Sequence, residues 1–540
     1  MRHDEERSTE LAEQTVRSAF AARPALARAA GDHAYDGVIG DIGAEVVQRR
    51  IAELDALAAE IAAAQSSTAS PAVRADLTTA ALAVASERFG LVALRDPQRD
   101  PRWCLDAGAD VSSYVSRRYA PVADRADALC RHLAQLPDWL DTGAGLLDEA
   151  VAAGPREIAT DSARGYAAFY RENVRQELGP LGDGLSARVG GNLEAAAAAC
   201  ERYAQRVESL AASGNSALGE HRLVAMLVAQ EGITETVASL RSRADAELAR
   251  LEAAMLEVAG ALAPGGDMTA AIAAMESDHP SADGLLAAAE ETLDRLRRFW
   301  LERGVVGFPA EARCAVRPTP VYRRWSSASY EPPGPLDSRD LPHFYFVTTV
   351  QRDWTQEQAE EWLRHLNHPS LENVSVHEAF PGHFVHDLAA NRQPSLVRRV
   401  FWGMGFGEGW AHYTEQLAVE QGLAEGRPAL HLAQLQDALV RACRFRTSLG
   451  LHTEGWTVED GTRLFMKWAH LGRLPAEREA LRGTHDPMYL LYTYGKLEIL
   501  RWRELLSQRP GFDLREFHDV CLRTGFPPLS VVRDLVLEGG

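Results

Sequence analysis

The sequence lacks the features that define several classes of protein. Its six cysteines show no C-x-x-C spacing, so we expect reduced, buried thiols and neither a zinc knuckle nor a small disulfide framework. It contains no run of eighteen or more apolar residues, and its first residues, MRHDEERSTELAEQ, lack the apolar stretch of a signal peptide. The sequence therefore predicts a soluble, cytoplasmic protein without a membrane partner.

Basic residues form no stripe or tail. The chain has 57 lysines and arginines against 76 aspartates and glutamates, which gives a formal charge of −19, and the two signs alternate along its length. A protein that binds nucleic acid needs a basic surface to meet the phosphates. We therefore expect an acidic, solvated surface and no nucleic-acid partner.

Helix-breaking residues are few in the first 300 positions. Residues 46–64 and 234–262 have the apolar spacing of long amphipathic helices, and no fixed-period repeat suggests a solenoid. Prolines and turn formers gather between residues 308 and 342, and residues 343–350, HFYFVTTV, are typical of a strand. We expect a mainly α, two-lobed fold with a helical lobe over 1–305 and a second lobe over 306–540, which carries one small sheet.

The stretch VSVHEAFPGHFVHDL, residues 374–388, begins like the helix of an H-E-x-x-H metal site. In such a helix two histidines four residues apart share a face and reach one metal, while the glutamate next to the first holds a water. His377 and Glu378 fit this pattern. Pro381, however, stands where the second histidine belongs, and its side chain cannot bind a metal.

His383 follows His377 by six residues, which places the two on different faces of a regular helix. Pro381 removes a helical hydrogen bond, and Gly382 tolerates unusual backbone angles. A local bulge would then turn His383 back towards His377, so that H-E-x4-H places its two histidines and its glutamate as H-E-x2-H does. The alternative is that Pro381 and Gly382 merely end a helix.

A third ligand is available in GFGEGWAHYTEQL, residues 405–417. Zinc sites with two histidines often take a carboxylate from a later helix, and we assign this role to Glu408. His412 and Glu415 share its helix face, so one of them is predicted to orient a liganding histidine. A solvated charged stripe would give the same spacing, and His386 and Asp387 are further outer-shell candidates.

The motifs HEAFPGH, EGWAHYTE and DPMYLLYTYGKLEILRWRE, followed by FHDVCLRTGFPPL, resemble those of the bacterial family named domain of unknown function 885. The resemblance covers the second half of the chain. Members of this family are regarded as zinc metallopeptidases with a mostly helical, gluzincin-like fold. The resemblance implies a zinc ion bound by His377, His383 and Glu408, and it implies a role for Tyr492, three residues before a glycine.

The implied reaction is hydrolysis of a peptide bond. Glu378 would take a proton from the attacking water and pass it to the leaving amine. Tyr492 is the first candidate for a donor to the oxyanion, followed by Tyr494 and His452. A peptide substrate is expected to pair with the strand at 343–350. Its charged end would meet one of four basic residues: Arg323, Arg324, Arg446 or Lys496.

The chain also departs from the family pattern. Phe384 and His386 replace a histidine and a glutamine, His412 stands at a leucine-like position, and Ser448 stands where an aspartate is frequent. These departures concern substrate preference and the surroundings of the site. They leave the three ligands and the base in place.

Three other functions compete with a peptidase. A metal-dependent amidase that acts on a small peptide-like metabolite would use the same residues. A di-iron oxidase would need paired E-x-x-H motifs on facing helices, whereas the chain has one such motif, at 276–279, in a polar turn. The third alternative is a non-catalytic helical protein that binds metal or peptide with a degenerate site, and the intact His377, Glu378, His383 and Glu408 argue against it.

Overall fold

A computed structural model of the chain describes residues 2–67, 70–213, 216–320, 324, 326–338 and 341–539. The chain divides into two compact units. The first comprises Met1–Ser216 and Pro333–Leu341, and the second comprises Ala217–Pro332 and Pro342–Gly540.

The first unit is helical apart from two short strands. Strands β1 (Ala150–Ala152) and β2 (Ala211–Ser213) pair in parallel and were not predicted. The helices are α1 (Arg2–Ala22), α2 (Pro24–Ala29), α3 (Ala44–Ser67), α4 (Pro71–Phe89), α5 (Asp96–Arg99), α6 (Arg102–Ala109), α7 (Ser112–Ser116), α8 (Val122–Leu146), α9 (Ala153–Glu172), α10 (Val174–Leu178) and α11 (Asp183–Ser209).

The second unit contains the motifs described above. Its helices are α12 (Glu220–Glu231), α13 (Val237–Leu262), α14 (Met268–Glu276), α15 (Leu285–Arg303), α16 (Gln356–His365), α17 (His368–Glu378), α18 (His383–Ala390), α19 (Leu396–Val400), α20 (Met404–Glu420), α21 (Pro428–Thr453), α22 (Val458–Trp468), α23 (Arg473–Gly483), α24 (Leu491–Ser507), α25 (Leu514–Arg523) and α26 (Leu529–Gly539).

A three-stranded sheet lies beside the motif helix in the second unit. Its strands are β3 (Ala315–Pro318), β4 (Ala328–Glu331) and β5 (Phe344–Val347), in the order β3-β5-β4. β5 pairs with β3 in parallel and with β4 in antiparallel fashion. The strand predicted from HFYFVTTV is therefore present, and it is the central strand.

The division between the units differs from the predicted boundary near residue 305. α13 buries Leu248, Leu251 and Met255 in one cluster with Leu439 and Phe465 of the C-terminal helices. An amphipathic pattern shows that a helix has one buried face, but it does not reveal which helix covers that face. The prolines between 308 and 342 therefore mark the sheet of the second unit and the excursion of residues 333–341 into the first.

The predicted fold class is confirmed: the chain is mainly α, with a small sheet next to the motif residues. All six cysteines are buried and free of disulfide bonds, as predicted. The helical periodicity was sufficient to predict the fold class, and the scattered cysteine spacing was sufficient to predict free cysteines.

One helical stretch, Pro71–Leu94, is long and apolar enough to cross a membrane by length and composition alone. Of its most apolar part, 28% is buried. Core helices of soluble proteins commonly have the same composition, so this single stretch is weak support for a membrane span.

Candidate metal centre

The H-E-x4-H stretch forms two helices. α17 ends at Glu378 and α18 begins at His383, with a four-residue turn between them. The structure thus differs from the predicted bulge inside one helix, because the backbone folds back onto the end of α17: Phe380 N lies 3.2 Å from Ser375 O. Pro381 and Gly382 do end a helix, and the turn they form also returns His383 to His377.

Gly382 is required for this turn because of a close approach. Its N–H donates to Val376 O at 3.0 Å, and a Cβ at this position would lie 1.7 Å from the carbonyl oxygen of His377. The Phe380–Pro381 peptide bond is cis. The indole of Trp410, on α20, donates to Pro381 O at 3.0 Å, which ties the turn to the helix that carries Glu408.

The two histidines and Glu408 converge as predicted. The rings of His377 and His383 are 4.8 Å apart and nearly perpendicular, at 89°. Nε2 of His377 lies 3.5 Å from Oε2 of Glu408, and Nε2 of His383 lies 3.6 Å from the same oxygen. Among the described residues, these three form the group of histidine and carboxylate side chains spaced to hold a metal ion.

The geometry fits a tetrahedral cation site. With bonds of about 2.1 Å, the ligand atoms of a tetrahedral zinc ion lie about 3.4 Å apart, close to the observed separations. Oε2 of Glu408 is buried and has no hydrogen-bond partner within the described residues. A buried, unpaired carboxylate oxygen is costly, and a cation shared with the two imidazoles would remove that cost.

Glu415 orients His377. The sequence left open whether Glu415 or His412 would do so. Glu415 is fully buried, and its Oε1 accepts from Nδ1 of His377 at 2.6 Å. This bond places the proton on Nδ1 and leaves Nε2 to face Glu408. His412 lies behind it, with Nδ1 3.4 Å from the other oxygen of Glu415.

Arg441 balances the charge of Glu415. Its guanidinium lies 3.0 Å from Oε1 of Glu415 and also approaches Nδ1 of His377 at 3.3 Å. Burial would raise the pKa of Glu415, but Arg441 and the histidines hold it well below its usual range. The carboxylate therefore stays ionised behind the metal-facing imidazole.

The charges of the site favour a cation. Burial and Arg441 lower the pKa of His377, yet the carboxylates of Glu408 and Glu415 outweigh them and raise it to about 9. Burial raises the pKa of Glu408, while His383 and His377 bring it well below its usual range. Both shifts show that the centre attracts positive charge.

The backbone of strand β4 holds Glu378. Its Oε2 accepts from the N–H of Tyr330 at 2.8 Å. The hydroxyl of Tyr330 lies 2.6 Å from Nδ1 of His343 and 3.1 Å from Oδ2 of Asp387, one turn after His383 on α18. Tyr330 thus joins the proposed base, the sheet and the second ligand helix.

Helices α20 and α24 run parallel and touch through glycines. A Cβ on Gly495 would lie 1.9 Å from Gly405 O and 2.9 Å from the Cα of Gly409. Farther along, Arg503 pairs with Glu420 at 2.7 Å. This close contact brings the first turn of α24 to the part of α20 that carries Glu408.

Tyr492 stands in that first turn, next to two guanidinium groups. Its ring centre is 5.2 Å from Cζ of Arg444 and 5.8 Å from Cζ of Arg482. Burial and the charge of Glu408 raise its pKa to about 12, although the arginines act in the opposite direction. Its phenol therefore stays protonated and can donate.

The other two candidates for an oxyanion donor are engaged elsewhere. The hydroxyl of Tyr494 donates to Glu235 at 2.9 Å, and its ring packs under Arg243 at 4.5 Å. Nε2 of His452 lies 2.8 Å from Gly483 O in a buried setting. Neither belongs to the group around Glu408.

Two of the four basic candidates for substrate binding already have anionic partners. Lys496 is fully buried and lies 3.2 Å from Glu247, and Arg446 pairs with Glu454 at 2.7 Å. Arg324 is exposed, whereas Arg323 lies outside the described residues. Lys496 and Arg446 are therefore engaged by glutamates, and their roles at the substrate end stay predictions.

His386 contacts the C-terminal part of the chain, and its outer-shell role stays a prediction. It is buried, and its Nε2 lies 2.9 Å from Gly525 O. The peptide is also unable to pair with β5, because both edges of that strand are taken by β3 and β4. A run of β-branched and aromatic residues predicts a strand but does not reveal its place in the sheet.

Sequence reasoning missed Arg441, Tyr330 and Glu231. The sequence did contain a signal for Arg441. This residue lies on the apolar face of α21, in the spacing of Leu435, Ala438 and Phe445, so it had to be buried. Tyr330 acts through its backbone N–H, which leaves no trace in the sequence.

Glu231 anchors the helix that carries Glu408. Buried at the end of α12, it accepts from Gly405 N at 2.8 Å and from Leu529 N at 2.7 Å, at the starts of α20 and α26. A carboxylate at two helix N-termini satisfies donors that lack helical partners.

Two solved structures share this fold. One is described as a "putative lipoprotein of unknown function from Shewanella oneidensis"; the alignment covers 98% of this chain and 99% of that one, with a TM-score of 0.80 and 22% identity. The other, a "putative lipoprotein from Colwellia psychrerythraea", aligns over 99% of both chains with a TM-score of 0.77 and 20% identity.

At these identities the likeness concerns the fold alone. No curated protein matches the sequence. The family described as "Bacterial protein of unknown function (DUF885)" matches residues 24–536, almost the whole length. The chain therefore belongs to the DUF885 family.

Proposed function

We propose that the protein is a zinc-dependent hydrolase that cleaves peptide bonds in small peptides. The observation that carries the proposal is the convergence of His377, His383 and the unpartnered Oε2 of Glu408 at spacings suited to a tetrahedral ion. Two imidazoles and a carboxylate leave a fourth position for water, as hydrolytic zinc sites do. Other divalent metals accept the same ligands.

The bound ion would supply Lewis-acid activation of water and of the substrate carbonyl. Glu378 follows His377 directly and is held by the N–H of Tyr330, so one carboxylate oxygen is fixed while the group remains available as a base. It takes the proton of the attacking water and delivers it to the leaving amine. The phenol of Tyr492, kept protonated beside Glu408, donates to the oxyanion.

The substrate proposal rests on the sheet. Among the described residues β5 is paired on both sides, and β4 is the strand whose backbone contacts Glu378. A peptide that extends along β4 would bring its carbonyl towards the ligands. An amidase that acts on a small peptide-like metabolite would use the same groups, and the choice of substrates in the assay separates the two.

Metal content and turnover test the proposal together. Wild type, His377→Ala, His383→Ala and Glu378→Gln are measured by elemental mass spectrometry and screened with mixed peptides, and the exposed His221→Ala is the matched control. We expect about one zinc per chain in wild type, Glu378→Gln and the control, loss in both ligand variants, and turnover only in wild type and the control. A wild type without metal would refute the site.

Stoichiometric zinc without turnover would instead favour a binding protein. We propose from the sequence that the protein is cytoplasmic. Both similar structures are described as lipoproteins, so this location needs a test of its own. Fractionation of the native cells with an antibody against the chain tests it, and recovery in the membrane fraction would contradict it.

A further inference from the structure

A cluster of donors lies around Tyr492, and two of its members, Arg482 and Tyr489, are not used by the proposed reaction. It consists of Arg482 at the end of α23, Tyr489 in the 3₁₀ turn Pro487–Leu490, and Tyr492 at the start of α24. The guanidinium of Arg482 lies 5.7 Å from the ring of Tyr489 and 5.8 Å from that of Tyr492. The three side chains therefore face one another within eleven positions of the chain.

Arg482 pairs with one oxygen of one carboxylate. Its Nε and Nη2 both approach a single oxygen of Asp486, at 3.0 and 2.9 Å, and its side chain is 31% exposed. Arg444 offers a contrast, because two of its nitrogens meet both oxygens of Glu479 at 2.7 Å in a buried pair. Asp486 is itself part-exposed, so it can turn into water and release Arg482 to another carboxylate.

Tyr489 points to a ligand independently. It is fully buried, and its hydroxyl has no hydrogen-bond partner in the described part of the chain. The hydroxyl lies against Gly483, where a Cβ would come within 2.2 Å of it. A buried hydroxyl without a partner is costly unless a ligand or water completes it.

The fold places this cluster beside the helix that carries Glu408. Gly495, three residues after Tyr492, packs against Gly405 and Gly409 of α20, and the guanidinium of Arg482 lies 5.8 Å from the Tyr492 ring. A substrate that extends from the reacting carbonyl towards Tyr492 would bring its end group to Arg482. The chemistry that suits a planar guanidinium and phenol donors is a carboxylate.

We propose that Arg482, with Tyr489, binds the free C-terminal carboxylate of the substrate, so that the enzyme removes residues from the C-terminus of short peptides. This inference rests on the proposed peptidase function. It assigns the substrate end to a basic residue that was not predicted from the sequence and that the fold places beside Tyr492.

Matched peptides with a free C-terminal carboxylate or a C-terminal amide test the proposal. Wild type is expected to cleave the acid at least about 30-fold more efficiently than the amide, by kcat/KM, and Arg482→Gln is expected to lose that preference, so that its ratio of kcat/KM for acid and amide falls to about 1. Arg463→Gln, on the exposed side of α22, is the matched control and keeps the preference. Equal cleavage of acid and amide by wild type would overturn the carboxylate subsite and leave the peptidase function standing.

If no peptide is cleaved, a binding experiment still tests the carboxylate subsite. The zinc-loaded protein is titrated calorimetrically with N-acetylleucine and with N-acetylleucine amide. Binding of the acid at least about 10-fold tighter than the amide, lost in Arg482→Gln, would support the subsite even if the peptidase function fails. Equal affinity for the two compounds, or unchanged binding in Arg482→Gln, would overturn it.

Discussion

Oε1 of Glu415 lies 2.6 Å from Nδ1 of His377, in a contact where both side chains are buried and Arg441 supplies the balancing charge. The glutamate thereby decides which imidazole nitrogen faces Glu408. A contact behind the metal-facing atoms thus controls their geometry.

Replacing Glu415 tests that control. In Glu415→Gln the amide oxygen still accepts from His377, but Arg441 loses its anionic partner. We expect zinc affinity to fall about 10-fold to 100-fold and the free energy of unfolding to fall by about 3 kcal/mol, because a buried charge is left unpaired. Competition with a chromophoric chelator and thermal melts measure the two effects. The exposed Glu425→Gln is the control, and unchanged zinc affinity in Glu415→Gln would contradict the orienting role.

Gly382→Ala tests the turn between the two ligand helices. The added methyl would lie 1.7 Å from His377 O, so the turn must open and His383 must leave His377. We expect loss of zinc and a stability loss of about 3 kcal/mol or more. Gly191→Ala, whose Cβ would meet nothing within 4 Å, is the control. Circular dichroism separates loss of the site from unfolding, and a folded variant with full zinc content would show that the close contact is dispensable.

Gly495→Ala tests the contact between α20 and α24. The methyl would lie 1.9 Å from Gly405 O, which forces the helices apart and moves Tyr492 relative to Glu408. We expect kcat to fall by about 10-fold or more and stability to fall by about 1–3 kcal/mol, with zinc retained. Gly260→Ala, in the open interior of α13, should instead be neutral or stabilise by up to about 1 kcal/mol. Unchanged kcat in Gly495→Ala would contradict a positioning role for this contact.

His33 makes the stability of the first unit depend on pH. Its Nε2 lies 2.9 Å from Asp337, in the excursion of residues 333–341, and its Nδ1 lies 3.4 Å from Asp36. Burial lowers its pKa, but the two aspartates outweigh burial and raise it to about 9 from 6.5. Because the folded pKa is raised, this stabilisation is fully present below about pH 6.5 and is lost as the pH rises through about 9.

The His33→Asn variant measures that contribution. After allowance for solvent screening of a side chain that is one-third exposed, wild type should exceed the variant by about 1–2 kcal/mol at pH 6 and by almost nothing at pH 10. Chemical unfolding at several pH values gives the difference, with His221→Asn as the control. A difference that does not change with pH would mean that the contact stabilises without its charge.

Much of the candidate site could be predicted because its residues are close in the chain or share a helix face. His377, Glu378 and His383 lie within seven positions, and the four-residue and three-residue steps from Glu408 to His412 and Glu415 place them on one side of α20. Helical periodicity likewise predicted the mainly α fold. The backbone route between the histidines was not predictable, because it depends on how the turn packs against Trp410.

The sequence by itself determined which residues are able to bind a metal, since imidazole and carboxylate groups keep their chemistry in any fold. Only the tertiary structure decided what surrounds them. Arg441 is 64 positions from His377, Tyr330 is 48 positions from Glu378, and Glu231 is 174 positions from Gly405. Local propensity carries no information on contacts at such separations. These contacts form only when the apolar faces of the helices pack against one another in the core.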